Sequence, residues 1–241
     1  MTDSASQISA SIDALERQFD IIAHNMANVG TVGFKRRCNS FTQAMAAQTG
    51  PEGGADAELS QGAFDFSQGT LVQTDRTLDL ALYGKGFFVI ESPDGPLYTR
   101  HGIFQTNQNG QIVDTMGRLV AGTAGPLIVP PNADVSEIHV DGAGRVSAGQ
   151  AALGQLRIVE FGDKEPQLSP AGNNCFLAPK SVQAKEAVDV AVRQGYEEAS
   201  NVKLVDELVN MIMVSRLYEA NMKLTTVSRD NSSSAIGVAM G

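Results

Sequence analysis

No stretch of this sequence approaches the roughly 18 consecutive apolar residues of a membrane-spanning helix, which excludes an integral membrane protein and direct membrane insertion. Cysteine is almost missing. Cys38 and Cys175 alone can build neither a disulfide scaffold nor a cysteine-based zinc site. A bridge between the two stays open for an oxidising compartment, with two buried thiols the simpler reading. Positive charge is scarce as well, 18 Lys and Arg against 27 Asp and Glu for a net charge of −9. The one basic cluster, Lys35-Arg36-Arg37, is too short to neutralise a phosphate backbone, so no nucleic-acid partner is expected. Cations just past a helix end more simply complement its dipole and its last carbonyls. The opening residues Met1 to Gln7 have neither the positive stretch nor the apolar stretch of a secretory signal peptide. The expectation is a cytosolic chain or one exported without a cleaved signal.

Catalytic signatures are missing too. There is no G-x-S-x-G elbow, no H-E-x-x-H pair, no P-loop and no G-x-G-x-x-G. Gly84-Lys85-Gly86 reads as a turn between strands. His24, His101 and His139 fall in three separate segments without ligand spacing, and Asp75, Asp79, Asp94 and Asp114 sit where carboxylates satisfy turn backbones. No catalytic, metal or cofactor residues are assigned, and the chain is read as no enzyme.

What is present is a soluble composition, 42% apolar and 19% charged, arranged in three regions of different periodicity. From Ser4 to about Asn28, Ile8, Ile12, Leu15, Phe19, Ile22, Met26 and Val29 step by 4 and 3, the narrow seam of an amphipathic helix with period 3.5. Ser4 with Gln7 suits a capping box, and Asn28, Gly30 and Gly33 suit the helix end. A second helix is expected from about Ser200 to Arg229. Its seam runs Leu204, Leu208, Met211, Ser215, Tyr218, Met222 and Thr225, widened by Val205, Val209 and Ile212. Asn231 to Gly241 reads as a frayed tail.

Between the helices, short strands separated by turns are expected at Leu78–Leu82, Phe87–Ile90, Leu97–Thr99, Glu137–Val140, Arg145–Ser147 and Leu156–Phe161. A hairpin is expected at Asn109-Gly110, joining strands Ile103–Thr106 and Gln111–Val113. The fold class is α+β: terminal amphipathic helices in a coiled-coil-like layer, with a central antiparallel all-β domain. The boundaries are a helical assembly domain of residues 1–36 and 196–241, a linker of 37–69 and a β-rich domain of 70–195. Seams this narrow want partners, either each other or copies of the chain. A monomeric β-rich adhesin also suits the middle region but gives no account of heptads at both ends.

The run Ile22-Ala23-His24-Asn25-Met26-Ala27-Asn28-Val29-Gly30-Thr31-Val32-Gly33-Phe34-Lys35-Arg36 resembles the N-terminal signature of bacterial flagellar rod and hook axial proteins, with His24 in place of an Asn. Asn25, Ala27, Asn28, Thr31, Gly33, Phe34 and Lys35 carry it. The blocks Leu78-Asp79-Leu80-Ala81-Leu82, Gly84-Lys85-Gly86-Phe87-Phe88-Val89 and Tyr98-Thr99-Arg100 with Gly102-Ile103-Phe104 follow in the family's order, with Thr77 where Pro is usual. Gly195-Tyr196-Glu197-Glu198-Ala199-Ser200-Asn201-Val202 and the helix after it are similar to the family's C-terminal pattern. The resemblance implies a structural rod subunit, closer to the proximal than to the distal rod protein. It implies a tube built by the terminal helices and partners among its own copies and other rod and hook proteins. It also implies passage through the flagellar type III export apparatus, and a location in the basal body, in the periplasm-spanning rod.

Overall fold

A computed structural model describes residues 2–38, 63–131 and 133–239, with side chains described from residue 9 to residue 227 within the two long helices. The described residues divide into two compact units. One takes residues 2–27, 37–38, 63 and 203–239; the other takes 28–36 and 64–202.

The first unit is helical. Helix α1 spans Thr2–Ala27 and helix α2 spans Leu204–Ala239. Their packing is narrow: Leu15 and Ile22 of α1 close on Val214 of α2, flanked by Phe19, Met26, Met211 and Tyr218. The rings of Phe19 and Tyr218 meet edge to face at 6.5 Å, a geometry favoured by the ring quadrupoles. Helix α1 begins earlier than Ser4, and its proposed capping box lies among side chains outside those described. Helix α2 begins four residues later than Ser200. It also runs on through 231–239, where the sequence suggested a frayed tail.

The second unit contains strands and two short 3-10 turns. Every strand pair is antiparallel, as the alternating pattern implies, but the strands form six small sheets and not one all-β domain. The largest has six strands in the order Ser169–Gly172, Cys175–Leu177, Leu97–Thr99, Phe87–Ile90, Ile158–Glu160 and Lys185–Glu186. Its centre explains the unbroken apolar run Phe87-Phe88-Val89-Ile90. Side chains alternate across a strand, so Phe88 and Ile90 enter one core with Leu80, Leu82 and Leu127. Phe87 and Val89 enter a second core with Tyr98, Phe161 and Phe176. Each fully buried Phe is worth about 1.5–3 kcal/mol of transfer energy. Phe64 and Phe66, placed by the sequence in the linker, pack edge to face on Phe176 and Phe87 in that second core. The rest of that linker lies mostly outside the described residues.

The hairpin at Asn109-Gly110 forms, though its loop is longer than two residues. Phe104–Thr106 pairs with Ile112–Asp114, with Thr106 opposite Ile112. Asn107 Oδ1 accepts from the amides of Asn109 and Gln111 and so organises the five-residue connection. The last strands close the unit onto its first ones: Val190–Gln194 pairs with Leu80–Gly84, and Tyr196–Glu198 pairs with Leu71–Gln73. Tyr196–Glu198 is therefore a strand of the β unit, not the beginning of the helical domain.

Candidate functional site

The family-like motif at the end of α1 becomes a strap, residues 28–36, laid into the β unit. Thr31 turns the chain back: its amide donates to the Asn28 carbonyl at 3.1 Å and its hydroxyl to Asn28 Oδ1 at 3.1 Å. Gly33 then takes φ +68°, and a Cβ there would stand 2.5 Å from the His101 backbone nitrogen, so the position tolerates no side chain. Its amide donates to the Glu198 carbonyl at 2.7 Å. Asn174, itself left-handed at φ 55°, donates from Nδ2 to the Val32 carbonyl at 3.0 Å. Phe34 is buried.

Lys35 is the strap's charged anchor. Its ammonium donates to Glu198 Oε1 at 2.7 Å and to the Ser67 carbonyl at 2.7 Å. The Gly69 amide reaches the same Oε1 at 2.9 Å, and Arg100 Nη1 approaches Oε2 at 3.3 Å. Arg100 also donates to the Gly84 carbonyl at 2.8 Å and stands 5.5 Å over the Phe87 ring. Lys35, Arg100 and Glu198 are each no more than 3% exposed. Two cations therefore share one carboxylate out of water. Burial holds the Lys35 ammonium below its usual range, with Glu198 pulling the other way. Burial likewise lowers Arg100 and raises the Glu165 carboxyl, against the pull of Arg100, Lys85 and Lys35. Such a cluster does no evident bond chemistry. It fixes geometry, because Glu198 serves both cations and removing it strands them.

One step along, Arg36 is held by Asn201. The Arg36 amide donates to Asn201 Oδ1 at 2.7 Å, and Asn201 Nδ2 donates to the carbonyls of Asp65 at 2.8 Å and Ser67 at 3.1 Å. The Arg36 carbonyl accepts from the Asp65 amide at 2.9 Å. Ser200 Oγ accepts from the Val202 amide at 3.2 Å, which turns the chain ahead of α2, and Val202 is buried.

In the helical unit, Asn25 is fully buried. Its Oδ1 accepts from the Arg37 amide at 2.8 Å, and its Nδ2 donates to the Arg37 carbonyl at 2.9 Å and to Glu207 Oε1 at 3.3 Å. The Cys38 amide donates to the Ala63 carbonyl at 2.6 Å. No disulfide occurs among the described residues, and Arg118 Nη2 donates to Cys175 Sγ at 3.1 Å.

The sequence-derived seams are only partly inward. Leu15, Phe19, Ile22 and Met26 face α2, Ile12 is half-buried, and the side chain of Ile8 lies outside the described residues. On α2, Met211 and Tyr218 face α1, whereas Leu204, Leu208 and Met222 are exposed in the single chain. The buried positions beside them are Glu207 and Val214. Glu207 is inward because Asn25 holds it, a pairing across 182 residues that periodicity cannot display. Val205, Val209, Ile212, Met213, Leu217, Leu224 and Val227 leave a further apolar face of α2 uncovered.

Of the motif residues, Asn25 and Ala27 belong to the helical unit, with Ala27 exposed at the end of α1, and Asn28, Thr31, Gly33, Phe34, Lys35, Ser200, Asn201 and Val202 belong to the β unit, where the strap meets Asn201 through the Arg36 amide. Sequence reasoning missed Glu198, Arg100 and Glu207 as partners. The first two stood inside the quoted motif blocks, the only signal available for them. Among the described residues, no group of three or more His, Cys, Asp and Glu could hold a metal. A surface cleft of about 430 Å³ beside Asn107 and Pro130 is lined by no ionisable side chain.

Comparison with known proteins matches residues 193–238 to the family described as flagellar basal body rod FlgEFG protein C-terminal, and residues 81–148 to the flagellar hook protein FlgE/F/G D1 domain. The chain is 34% identical to the flagellar basal-body rod protein FlgG of Buchnera aphidicola subsp. Schizaphis graminum over 245 aligned positions, which cover 90% of this chain and 92% of that protein. It is 34% identical to FlgG of Agrobacterium fabrum over 251 positions, covering 92% and 94%. Against the flagellar basal-body rod protein FlgF of Mesorhizobium japonicum it is 30% identical over 228 positions, covering 93% of each. With the motif residues gathered around the strap and relatives this similar along nearly the whole length, the chain belongs to the flagellar basal-body rod protein family, whose members are structural and not enzymes.

Proposed function

We propose that this rod subunit polymerises through α1 and α2, which join the helices of neighbouring copies and of other rod and hook proteins in a coiled-coil-like layer. That layer is the wall of a helical tube that transmits torque. The observation that carries the reading is the uncovered apolar face of α2. Ile212 and Leu217 are 55% and 53% exposed, on a helix whose opposite side is already packed on α1. Apolar faces of this extent mark interaction surfaces. A tube repeats one heterologous contact without closing, which suits a face that differs from the face it meets. The β unit carries its own two cores and so supplies a rigid outer part.

The basal body is the location implied by the relatives. We place the subunit in the proximal part of the rod. The resemblance read from the sequence, closer to the proximal than to the distal rod protein, supports this choice. A distal rod position is the second reading. Delivery is through the flagellar type III export apparatus, as the family resemblance implies.

Electron cryo-tomography of basal bodies from a strain deleted for this gene tests the reading. A rod absent or truncated at its inner-membrane end is the expected result. A stump ending farther out moves the subunit to the distal rod. A complete basal body overturns the rod assignment.

A further inference from the structure

Two features of the β unit lie at opposite ends of one ladder. Strands Leu80–Gly84 and Val190–Gln194 pair with Gly84 opposite Val190 and Leu80 opposite Gln194. Four residue steps separate those ends, about 13 Å. The Gly84 end carries a knob. Val188, in the bend just before Val190, is 82% exposed, and Tyr83 beside Gly84 is exposed as well. The bend lies against Gly84, where a Cβ would meet the Asp189 carbonyl.

The other end carries a cleft. The Val192 amide donates to the Gly142 carbonyl at 2.9 Å and Gln194 Nε2 to the Ile138 carbonyl at 2.8 Å. The chain from 142 back to 138 therefore follows the ladder outward, and the turn Val135–Glu137 lies past its Gln194 end. The Leu80 amide donates to the Gly102 carbonyl at 2.8 Å and the Phe104 amide to the Leu78 carbonyl at 3.1 Å, so the hairpin after Phe104 runs out the same way. Between these two walls is the cleft of about 430 Å³, with Ile128, Pro130 and Val135 as its apolar lining.

We propose that the Val188 bend of one copy seats in this cleft of a second copy, stacking β units head to tail. The proposal rests on the rod reading above and adds a contact to the one made by α2. Knob and cleft point away from each other on one molecule, so each copy uses its knob on one neighbour and its cleft on the next. Such a heterologous contact repeats without closing, as a helical tube requires. The chemistry matches: an apolar side chain standing in water meets an apolar lining that holds no ionisable group, so no charge is stranded. The surrounding charges match too. Asp134 and Glu137 flank the Val135 wall, whereas residues 83–86 and 185–193 carry Lys85, Lys185 and Arg193 against Glu186 and Asp189. Opposite net charge favours this register over knob on knob. One bend in one cleft buries far less than the roughly 800 Å² per partner of a stable complex. It therefore operates in a polymer that another contact already holds together.

The test uses strains making the full-length protein with Val188→Cys, Val135→Cys or both. Both side chains are exposed, so each variant should melt like wild type. Basal bodies from the double variant, treated with a mild oxidant, should give a ladder of dimers and higher oligomers that reduction removes. Each single variant should crosslink no more than wild type, and a strain making both single variants should give dimers and nothing longer. Complete rods without a ladder overturn the proposal. So does crosslinking of either single variant with itself, which would make the contact isologous. A second measurement needs no cysteine. Val188→Asp puts a carboxylate into the cleft beside Asp134; it should fold as wild type yet lower the number of complete rods at least about tenfold, while Val188→Leu builds them. Wild-type numbers of rods from Val188→Asp also overturn the proposal. Complete basal bodies in the gene-deletion strain instead overturn the rod reading itself, so the two failures are distinguishable.

Discussion

The buried triad of Lys35, Glu198 and Arg100 holds the strap at the scale of single atoms. Its members are not equivalent. Glu198 receives Lys35, Arg100 and the Gly69 amide, so its loss strands two cations, whereas loss of Lys35 leaves Glu198 still served by Arg100 and Gly69. Breaking a buried pair costs about 3–5 kcal/mol. Glu198→Met is expected to cost about 5 kcal/mol and Lys35→Met about 3 kcal/mol of stability in denaturant unfolding of the full chain. The triple replacement Lys35→Met, Arg100→Met, Glu198→Met should recover part of the loss, since apolar side chains of similar volume often replace a buried ion cluster at no cost. A second residue-scale effect comes from His101, whose pKa burial depresses below 6.5 against the pull of Asp114 and Asp79. A base with a depressed native pKa binds its proton more readily when unfolded. Its contribution to stability is therefore present above pH 6.5 and lost as pH falls below it. Unfolding free energy of the wild type should drop on acidification through that window, and His101→Gln should flatten the drop. Glu165, raised by burial, has the opposite slope above pH 4.5, so the difference between wild type and His101→Gln is the informative quantity.

At the scale of elements, the strap decides where the chain can be cut. Removing residues 2–27 takes α1 alone and leaves Phe34 and Lys35 in the β unit. Removing 2–36 withdraws both, together with the Gly33 amide bond to Glu198 and the Arg36 bonds to Asn201 and Asp65. The shorter deletion should give a β unit with a single cooperative melt. The longer one should lower that unit's stability by about 5 kcal/mol or prevent its folding, as circular dichroism melts of the two would record. Much of this level was legible beforehand. Phe87–Ile90 and Leu97–Thr99 were readable because turns bracket short apolar runs, and the α1 seam because polar residues flank it on both sides. Helix α2 resisted because it is apolar on several faces, so a period of 3.5 fits more than one stripe, and tertiary pairing with Asn25 chose the one containing Glu207. Strands such as Val190–Gln194 and Tyr196–Glu198 were hidden for another reason. Their partners lie more than 100 residues away in sequence, and no local signal names them. The motif residues were legible as a set, but their geometry was not. A buried Lys beside a buried Arg makes sense only once Glu198 is seen between them.

At the scale of the whole molecule, the question is which apolar surface serves the chain and which serves its neighbours. Helix α2 presents both kinds. Val214 is 2% exposed and closes on Leu15 and Ile22, so a charge there would be buried without a partner. Val214→Asp should unfold the helix pair in the isolated protein. Ile212 and Leu217 lie more than half in water, and aspartate there strands nothing in the single chain. Surface substitutions of this kind usually shift stability by within about 0.5 kcal/mol. In a polymer the same two carboxylates would be desolvated against an apolar neighbour in every subunit, a penalty repeated along the whole tube. Ile212→Asp with Leu217→Asp should therefore melt like wild type yet leave cells without assembled rods, as electron microscopy of isolated basal bodies would record. Normal rods built from that variant would mean that the uncovered face of α2 is not the assembly surface, and that polymerisation runs through another part of the chain.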